Sequence, residues 1–366
     1  MTESIISEWR ERIVAAAAAK APLAIRGGGS KDFYGNAVDA PVLDTRDFAG
    51  VVDYDPTELV MTARCGTTLD DIESALREAG QMMAFEPPRF DARVPSAATL
   101  GGCVASGLSG PRRMQAGAVR DFVLGVRILD GRGEDLAFGG RVMKNVAGFD
   151  VARLMTGALG TLGVLLEISF KCLPVPKVET TRVFQCAAED AIRRVNEWSG
   201  RPLPISATCH HEGLLSVRLS GAPAAVAAAG TRIGGDSLLD ADGGAAFWTS
   251  VRDQTHRHFA GALAAGKSIW RLSVDSTAPI ADLGGEQLIE WGGALRWLVA
   301  EGEADPAKLH AWASAHGGHA TLFRGGDRSA GVFQSLSAPL AKVHRELKAV
   351  FDPAGVLNPG RMYAGM

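Results

Sequence analysis

The sequence predicts an α+β protein in two unequal parts, closed by a short returning tail. Two observations carry this. Up to about Pro176, short runs of β-type residues alternate with Gly-, Pro- and Asp-rich turns. Beyond it, strands of alternating polarity are interleaved with amphipathic helices. Alternation of that kind marks an antiparallel sheet, here expected to carry its helices on one face. The 366 residues suffice for more than one domain with its own core. The divisions expected are residues 1–176, 177–345 and 346–366.

Residues 3–20 are good helix formers, with Ile6, Trp9, Ile13 and Val14 placed on one face. "PLAIRGGGS" (22–30) reads as a strand entering a glycine turn. After further short strands, a helix is expected over about Leu69–Ala79, capped by Thr68 or Asp70 and stopped at Gly80. "DFVLGVRILD", the turn "GRGE" and "DLAFGG" (121–140) return to strands, and "GTLGVLLEISFKCLP" (160–174) is a buried strand ended by prolines. In the second part, "AAEDAIRRVNEWSG" and "APAAVAAAGTRIGG" are helices. "GLLSVRLSG", "KSIWRLSVD", "GGALRWLVA" and "HATLFRG" are strands. The tail from Ala338 is a helix followed by a proline-punctuated extended segment.

Composition narrows the function. A net charge of −3 gives no electrostatic basis for a nucleic-acid partner. No apolar run approaches membrane-spanning length, and "MTESIISEWRER" lacks the apolar stretch of a signal peptide. The five cysteines are scattered with no CxxC pair, which argues against a disulfide framework, an iron–sulfur cluster or a zinc ribbon. A reducing, cytoplasmic setting is expected. The 44 glycines are a clear excess, and glycine admits backbone close to a ligand.

What the glycines hold follows by elimination. "GGGSK" (27–31) is not a nucleotide P-loop, which needs Gly-Lys followed by Ser or Thr. "GALGTLG" (157–163) precedes a strand instead of following one and is not GxGxxG, which disfavours a Rossmann site. An anion nest remains, in which backbone N–H groups of Gly27, Gly28 and Gly29 turn toward one point. "PSAATLGGCVASGLSG" (95–110) offers a second glycine pair with small and hydroxyl residues. Two nests suit a dinucleotide lying extended across the domain.

"IRGGGS", "PSAATLGGCVASGLSG", "GAVRDFVLGVRILDGRGE", "GGRVMKNVAGFDVARLMTGALGTLGVLLEISFKCLP" and "FDPAGVLNPG" occur in that order. Together they resemble the FAD-binding domain of the vanillyl-alcohol-oxidase/para-cresol-methylhydroxylase (PCMH) superfamily, over roughly residues 20–176 and 348–361. Within it they are similar to the bacterial glycolate oxidase and D-lactate dehydrogenase branch. The chain length and "GGHATLFRG" further resemble that branch's smaller FAD-binding glycolate oxidase subunits.

The resemblance implies a two-subdomain PCMH-type FAD-binding domain plus a smaller α+β cap, with the tail returning to the cofactor. It implies that Arg26, Gly27, Gly28, Gly29 and Ser30, with Pro95, Thr99, Leu100, Gly101 and Gly102, cradle the pyrophosphate. Ser106 and Gly107 would pack under the ribityl chain. Gly148, Phe149, Asp150, Gly160, Thr161, Leu162, Gly163 and Val164 would line the adenine and ribityl path, and Asn358 would approach the ring. Relatives that attach flavin covalently use a histidine beside the first loop or a cysteine in the second region. Here the first 209 residues hold no histidine, the loop position is Ser30, and Cys103 is the one cysteine in the second region. Non-covalent FAD is expected.

The catalytic relatives share a histidine-rich metal motif in the cap and a Glu-His-Gly triplet. "HHEG" (210–213) has the wrong order, "HRH" (256–258) falls in a helix-like stretch, and "HGGH" (316–319) is short. No metal site is expected, and no catalytic residue is identified. The resemblance thus implies an FAD-binding subunit of a glycolate oxidase that oxidises glycolate to glyoxylate. Electrons would pass to a larger FAD-binding subunit and an iron–sulfur subunit, or to quinone, with peripheral association at the inner membrane. The alternatives are a self-sufficient FAD-dependent 2-hydroxy-acid dehydrogenase and a non-catalytic scaffold subunit. An enolpyruvyl-sugar reductase lacks its acid pair here. The Trp-bearing strands "IWRLSVD" and "LRWLVA" are candidates for the partner contact, with core packing the commoner use of any one Trp.

Overall fold

The computed structural model describes residues 2–90, 97–140 and 149–366. Helix α1 (Thr2–Ala19) buries Ile6, Trp9, Ile13 and Ala16, a stripe at helical spacing. Val14, expected on that face, is 48% exposed, because one residue past Ile13 is a 100° turn away from the stripe. β1 (Ala24–Arg26) and β2 (Val42–Asp44) pair in parallel. β3 (Val51–Asp55) and β4 (Val60–Arg64) lead to α2 (Leu69–Glu78), whose cap is Thr68, not Asp70: Thr68 Oγ1 accepts the Asp71 amide at 3.1 Å. β5 (Gln81–Met82), α3 (Leu100–Ser106), α4 (Arg113–Ala116) and α5 (Val119–Phe122) follow. Next come β6 (Val123–Leu129), β7 (Asp135–Gly139), α6 (Val151–Met155), β8 (Val164–Lys171) and β9 (Leu173–Pro174).

The main sheet of this first unit has the order β3-β4-β8-β6-β7, antiparallel throughout. β8 sits at its centre with Val164, Leu166, Ile168 and Phe170 buried, a run of period two facing the core. The α1 stripe and α2 join the same core.

The second unit runs β10 (Val178–Gln185), α7 (Ala188–Ser199), β11 (Ile205–His211), β12 (Leu214–Gly221), α8 (Pro223–Ile233) and β13 (Ser237–Leu239). It continues through α9 (Ala241–Arg252), α10 (Arg257–Ala264), β14 (Ile269–Ser273), β15 (Gly285–Glu290), β16 (Leu295–Ala300), α11 (Pro306–Ala315) and β17 (His319–Arg324). Its strands form one antiparallel sheet of order β13-β10-β12-β11-β15-β16-β14-β17. Alternation along the strands sorts the faces. Leu215, Val217 and Leu219 pack with α7 and α8, and Trp270, Leu272 and Leu298 pack with α11. The opposite face presents Ile269, Trp297 and Phe323 to α9, α10 and to Tyr34 and Leu108 of the first unit, so helices cover both faces and not one as expected, because the strands are apolar on both sides. Trp270 and Trp297, in the two strands considered for partner contact, are 4% and 7% exposed, so both serve the core, the use expected of any one Trp.

Helix α12 (Ala338–Phe351) returns the chain to the first unit. The Leu23 amide donates to Val356 O at 2.8 Å and the Asn358 amide to Leu23 O at 2.9 Å, so the tail runs beside β1. Buried Lys348 holds it: Nζ reaches Asp352 Oδ2 at 2.6 Å and the carbonyls of Thr161 and Leu357 at 2.7 Å. Every ammonium donor is thereby satisfied, which makes a buried charge tolerable.

Candidate functional site

β1 ends at Arg26 and delivers the three glycines to the surface. Two adjoining clefts of ≈ 70 and ≈ 90 Å³ share Ile25, Gly27, Gly102, Ala105, Leu159 and Asn358 as walls, so they form one trough. One end is polar, with Gly29, Ser30, Lys31 and Arg361; the other is small and apolar, with Cys65, Met155, Gly163 and Leu165. Gly29 has φ +78°, a conformation that glycine adopts at no steric cost. Among the described residues, no acceptor takes the amides of Gly29 or Ser30. Backbone donors left open beside two cationic side chains suit an anion, and the trough leading from them suits an elongated ligand.

The other predicted residues sort into walls, braces and core. A Cβ at Gly28 would lie 1.5 Å from Ala97 O, and one at Gly27 would lie 2.6 Å from Thr99 Oγ1. These two glycines let the glycine loops touch. Arg26 stands on the rim with Nε 2.7 Å from Asp32 Oδ2, which closes the loop. The segment Thr99–Gly102 is not a second nest. Its amides are spent internally: Leu100 on Thr67 O (2.9 Å), Gly101 on Cys65 O (2.8 Å) and Gly102 on Thr99 Oγ1 (3.2 Å). Thr99, Gly102 and Ser106 line the trough, and the Ser106 hydroxyl donates to Cys103 O.

Several expected wall residues lie elsewhere. Leu100, Thr161, Leu162 and Val164 have their side chains in the packed interior. Gly107, at φ +66°, ends α3 where a Cβ would meet Gly157 Cα at 2.9 Å, so it serves close packing. Phe149 is 95% exposed, and Asp150 caps α6 by accepting the Arg153 amide at 3.1 Å, so neither reaches the trough. Pro95 and Gly148 lie outside the described residues. Gly160 lines the trough at φ +71°, where a Cβ would sit 2.7 Å from Asn358 Nδ2.

Asn358 is a brace. Its Oδ1 accepts the Ile25 amide at 2.8 Å and its Nδ2 donates to Leu159 O at 2.7 Å, joining β1 to the 157–163 loop across the trough. It has φ +42°, in the left-handed region that asparagine tolerates better than most residues. Burial pushes the thiol of Cys103 up to about 11 and that of Cys65 up to about 12, so both stay protonated and unreactive near neutrality.

Where the two units meet, aromatic rings fill the space. Phe33 lies 5.5 Å from Phe90 and 5.4 Å from Phe323, and Trp297 lies 4.8 Å from Phe323, centroid to centroid. Arg324 stacks over Phe33 at 3.7 Å. Beside them a cavity of ≈ 20 Å³ is lined by Arg271 and Glu290. Glu290 Oε2 accepts Trp297 Nε1–H at 2.7 Å, and burial pushes its carboxyl up to about 8. A larger cleft of ≈ 330 Å³ runs between the units, where Arg112 and Arg218 are paired with Glu86 and Glu179. One convergence escapes sequence reading altogether. His211, His256, His258 and Glu286 come from β11, β15 and the head of α10, with His211 Nε2 2.5 Å from Glu286 Oε1. No spacing in the sequence signals it, because sheet pairing and helix packing bring the four together.

A family model described as an FAD binding domain matches residues 6–139. The chain is 48% identical over 354 residues to the glycolate oxidase subunit GlcE of Escherichia coli (strain K12), covering 97% of this chain and 96% of that protein. It is 31% identical over 131 residues to the glycolate oxidase subunit GlcD of Bacillus subtilis (strain 168), covering 36% of this chain and 27% of that protein. Among solved structures, an alkyldihydroxyacetonephosphate synthase superposes with a TM-score of 0.65 over 96% of this chain and 73% of its own, at 16% identity, a likeness of fold alone. No helix among the described residues is long and apolar enough to cross a membrane.

Proposed function

The chain belongs to the family of the glycolate oxidase subunit GlcE, and from that premise we propose that it is an FAD-holding subunit of a glycolate oxidase assembly. Bound FAD supplies a two-electron acceptor for oxidation at a CH–OH carbon. The open amides of Gly29 and Ser30 would hold its pyrophosphate, with Lys31 and Arg361 offsetting the charge. Gly102, Ala105 and Leu159 would flank the remainder, in a trough whose width Asn358 sets. Buried, protonated Cys103 and the lack of histidine before residue 210 favour a non-covalent cofactor.

The observation that favours a subunit over a free-standing dehydrogenase is the packing of the junction around Arg271 and Glu290. Phe33, Phe90, Trp297 and Phe323 occupy this part of it, and the ≈ 20 Å³ left is room for about one water, less than any 2-hydroxy acid, while in the ≈ 330 Å³ cleft elsewhere between the units Arg112 and Arg218 are already paired with Glu86 and Glu179. Oxidation of glycolate to glyoxylate would then belong to a larger FAD subunit of the GlcD kind. An iron–sulfur subunit would carry the electrons on, with the assembly peripheral at the inner membrane. A second reading, a self-sufficient 2-hydroxy-acid dehydrogenase, draws on Glu290 and Arg271. A carboxyl titrating near neutrality beside a guanidinium is the proton-handling and carboxylate-holding pair that such a reaction needs.

The test is co-expression with a GlcD-type subunit and an iron–sulfur subunit, purification through a tag on the GlcD-type subunit, and flavin analysis of each separated chain. Co-elution of this chain with its own acid-releasable FAD is expected. A chain that elutes alone contradicts the assembly.

A further inference from the structure

We propose that His211, His258 and Glu286 form a divalent transition-metal site, of the zinc class, that pins α10 to the sheet of the second unit. One ligand atom from each residue lies within 4.8 Å of the other two. The three come from three elements: His211 ends β11, Glu286 follows the first residue of β15, and His258 lies in the first turn of α10.

Hydrogen bonding selects the ligand atoms. His258 Nε2 faces the Trp297 carbonyl at 3.2 Å, and a carbonyl only accepts, so Nε2 carries the hydrogen. The lone pair is therefore on Nδ1, which points to Glu286 Oε1 at 3.8 Å. A histidine whose far nitrogen is fixed by a carbonyl is the usual support of a metal-binding imidazole. That Nδ1 is buried and, among the described residues, makes no hydrogen bond, an orphan that a cation would satisfy. His211 Nε2 donates to the same carboxylate at 2.5 Å, so a metal bound there would replace that proton and leave the hydrogen on Nδ1, which has no partner among the described residues; the ring of His256 packs against His211 with centroids 5.1 Å apart. Two imidazoles and one carboxylate make a borderline donor set that suits Zn²⁺ over Ca²⁺ or Mg²⁺. The side chain of Glu286 is 47% exposed, so water can complete the coordination.

The site stands apart from the cofactor trough. Glu286 is four residues along β15 from Glu290, roughly 13 Å at the rise of a strand, and Glu290 is the end that meets the first unit. The metal would brace the fold instead of handling substrate, and the inference is independent of the proposed glycolate oxidase role.

Untagged protein, stripped with chelator and desalted, is titrated with Zn²⁺ by calorimetry and with Co²⁺ by visible absorption. Binding of one equivalent, a d–d band of a four- or five-coordinate nitrogen–oxygen site, and a higher Tm in zinc are expected. Glu286→Gln and His258→Asn should each weaken binding at least tenfold and abolish the Tm rise while flavin content stays unchanged. Glu286→Gln changes a half-exposed side chain, so it decides the matter even where His258→Asn folds poorly. No band in the native protein, or an unchanged band in Glu286→Gln, overturns the site.

Discussion

A Cβ on Gly28 would lie 1.5 Å from the carbonyl oxygen of Ala97, so the two glycine-rich loops meet backbone to backbone. The glycine is needed for this contact before any ligand arrives. Gly28→Ala should therefore separate the loops, lower stability by about 1–3 kcal/mol and reduce flavin occupancy. Gly102→Ala, whose Cβ would be 3.3 Å from Thr99 Oγ1 with no backbone in the way, should do less. Tm and flavin absorbance of the two purified variants check the ranking. Equal effects would remove the loop contact as the cause.

Asn358 separates bracing from direct contact with the cofactor. Asn358→Asp keeps the acceptor for the Ile25 amide but sets a carboxylate oxygen against Leu159 O, where Nδ2 now donates. Asn358→Ala removes both bonds and strands two backbone groups, each loss costing about 1–3 kcal/mol. Both variants should lower Tm in the absence of FAD as well as weaken its binding. An apoprotein Tm equal to that of the native chain would mean that Asn358 acts on the cofactor alone.

Much of the fold is legible in the sequence because period-two and helical spacing are local properties. β8 and, apart from Val14, the α1 stripe are read directly, and Thr68 differs from Asp70 as a cap only by where the first turn begins. The position of the glycine loop at the trough is legible too, but not the division of labour within it: Gly27 and Gly28 serve the contact between loops, and Gly29 and Ser30 keep open amides. What the segment 99–102 does with its amides is not legible, because their acceptors, Cys65 and Thr67, belong to another loop. The same holds for Trp270 and Trp297, whose faces are set by both sides of the sheet being covered. His211, His258 and Glu286 are hidden for a related reason, their meeting being a product of packing between distant elements.

Glu290 makes stability depend on pH in a defined direction. Burial holds its carboxyl at about 8 in the folded chain, against 4.5 for an ordinary glutamate. The folded protein keeps a proton that the unfolded chain releases, so stability from this group is complete below about pH 4.5 and is lost as pH rises toward about 8. Glu290→Gln retains an acceptor for Trp297 Nε1–H and has no proton to lose. The Tm of the variant relative to native protein should be near zero at about pH 5 and positive at about pH 8.5, the interval set by that shift. A difference that does not change with pH contradicts the buried neutral carboxyl.

The aromatic packing of Phe33, Phe90, Trp297 and Phe323 beside Arg271 and Glu290 carries the central claim, that this chain holds flavin for an assembly and does not itself take up a 2-hydroxy acid there. The most direct measurement is glycolate-dependent reduction of an artificial acceptor, expressed per FAD. It is made on the isolated, flavin-loaded chain and on the chain co-expressed with a GlcD-type subunit and an iron–sulfur subunit. The account predicts turnover in the assembly and little or none in the isolated chain. Equal rates per FAD in the two samples would contradict it and make the chain a dehydrogenase in its own right.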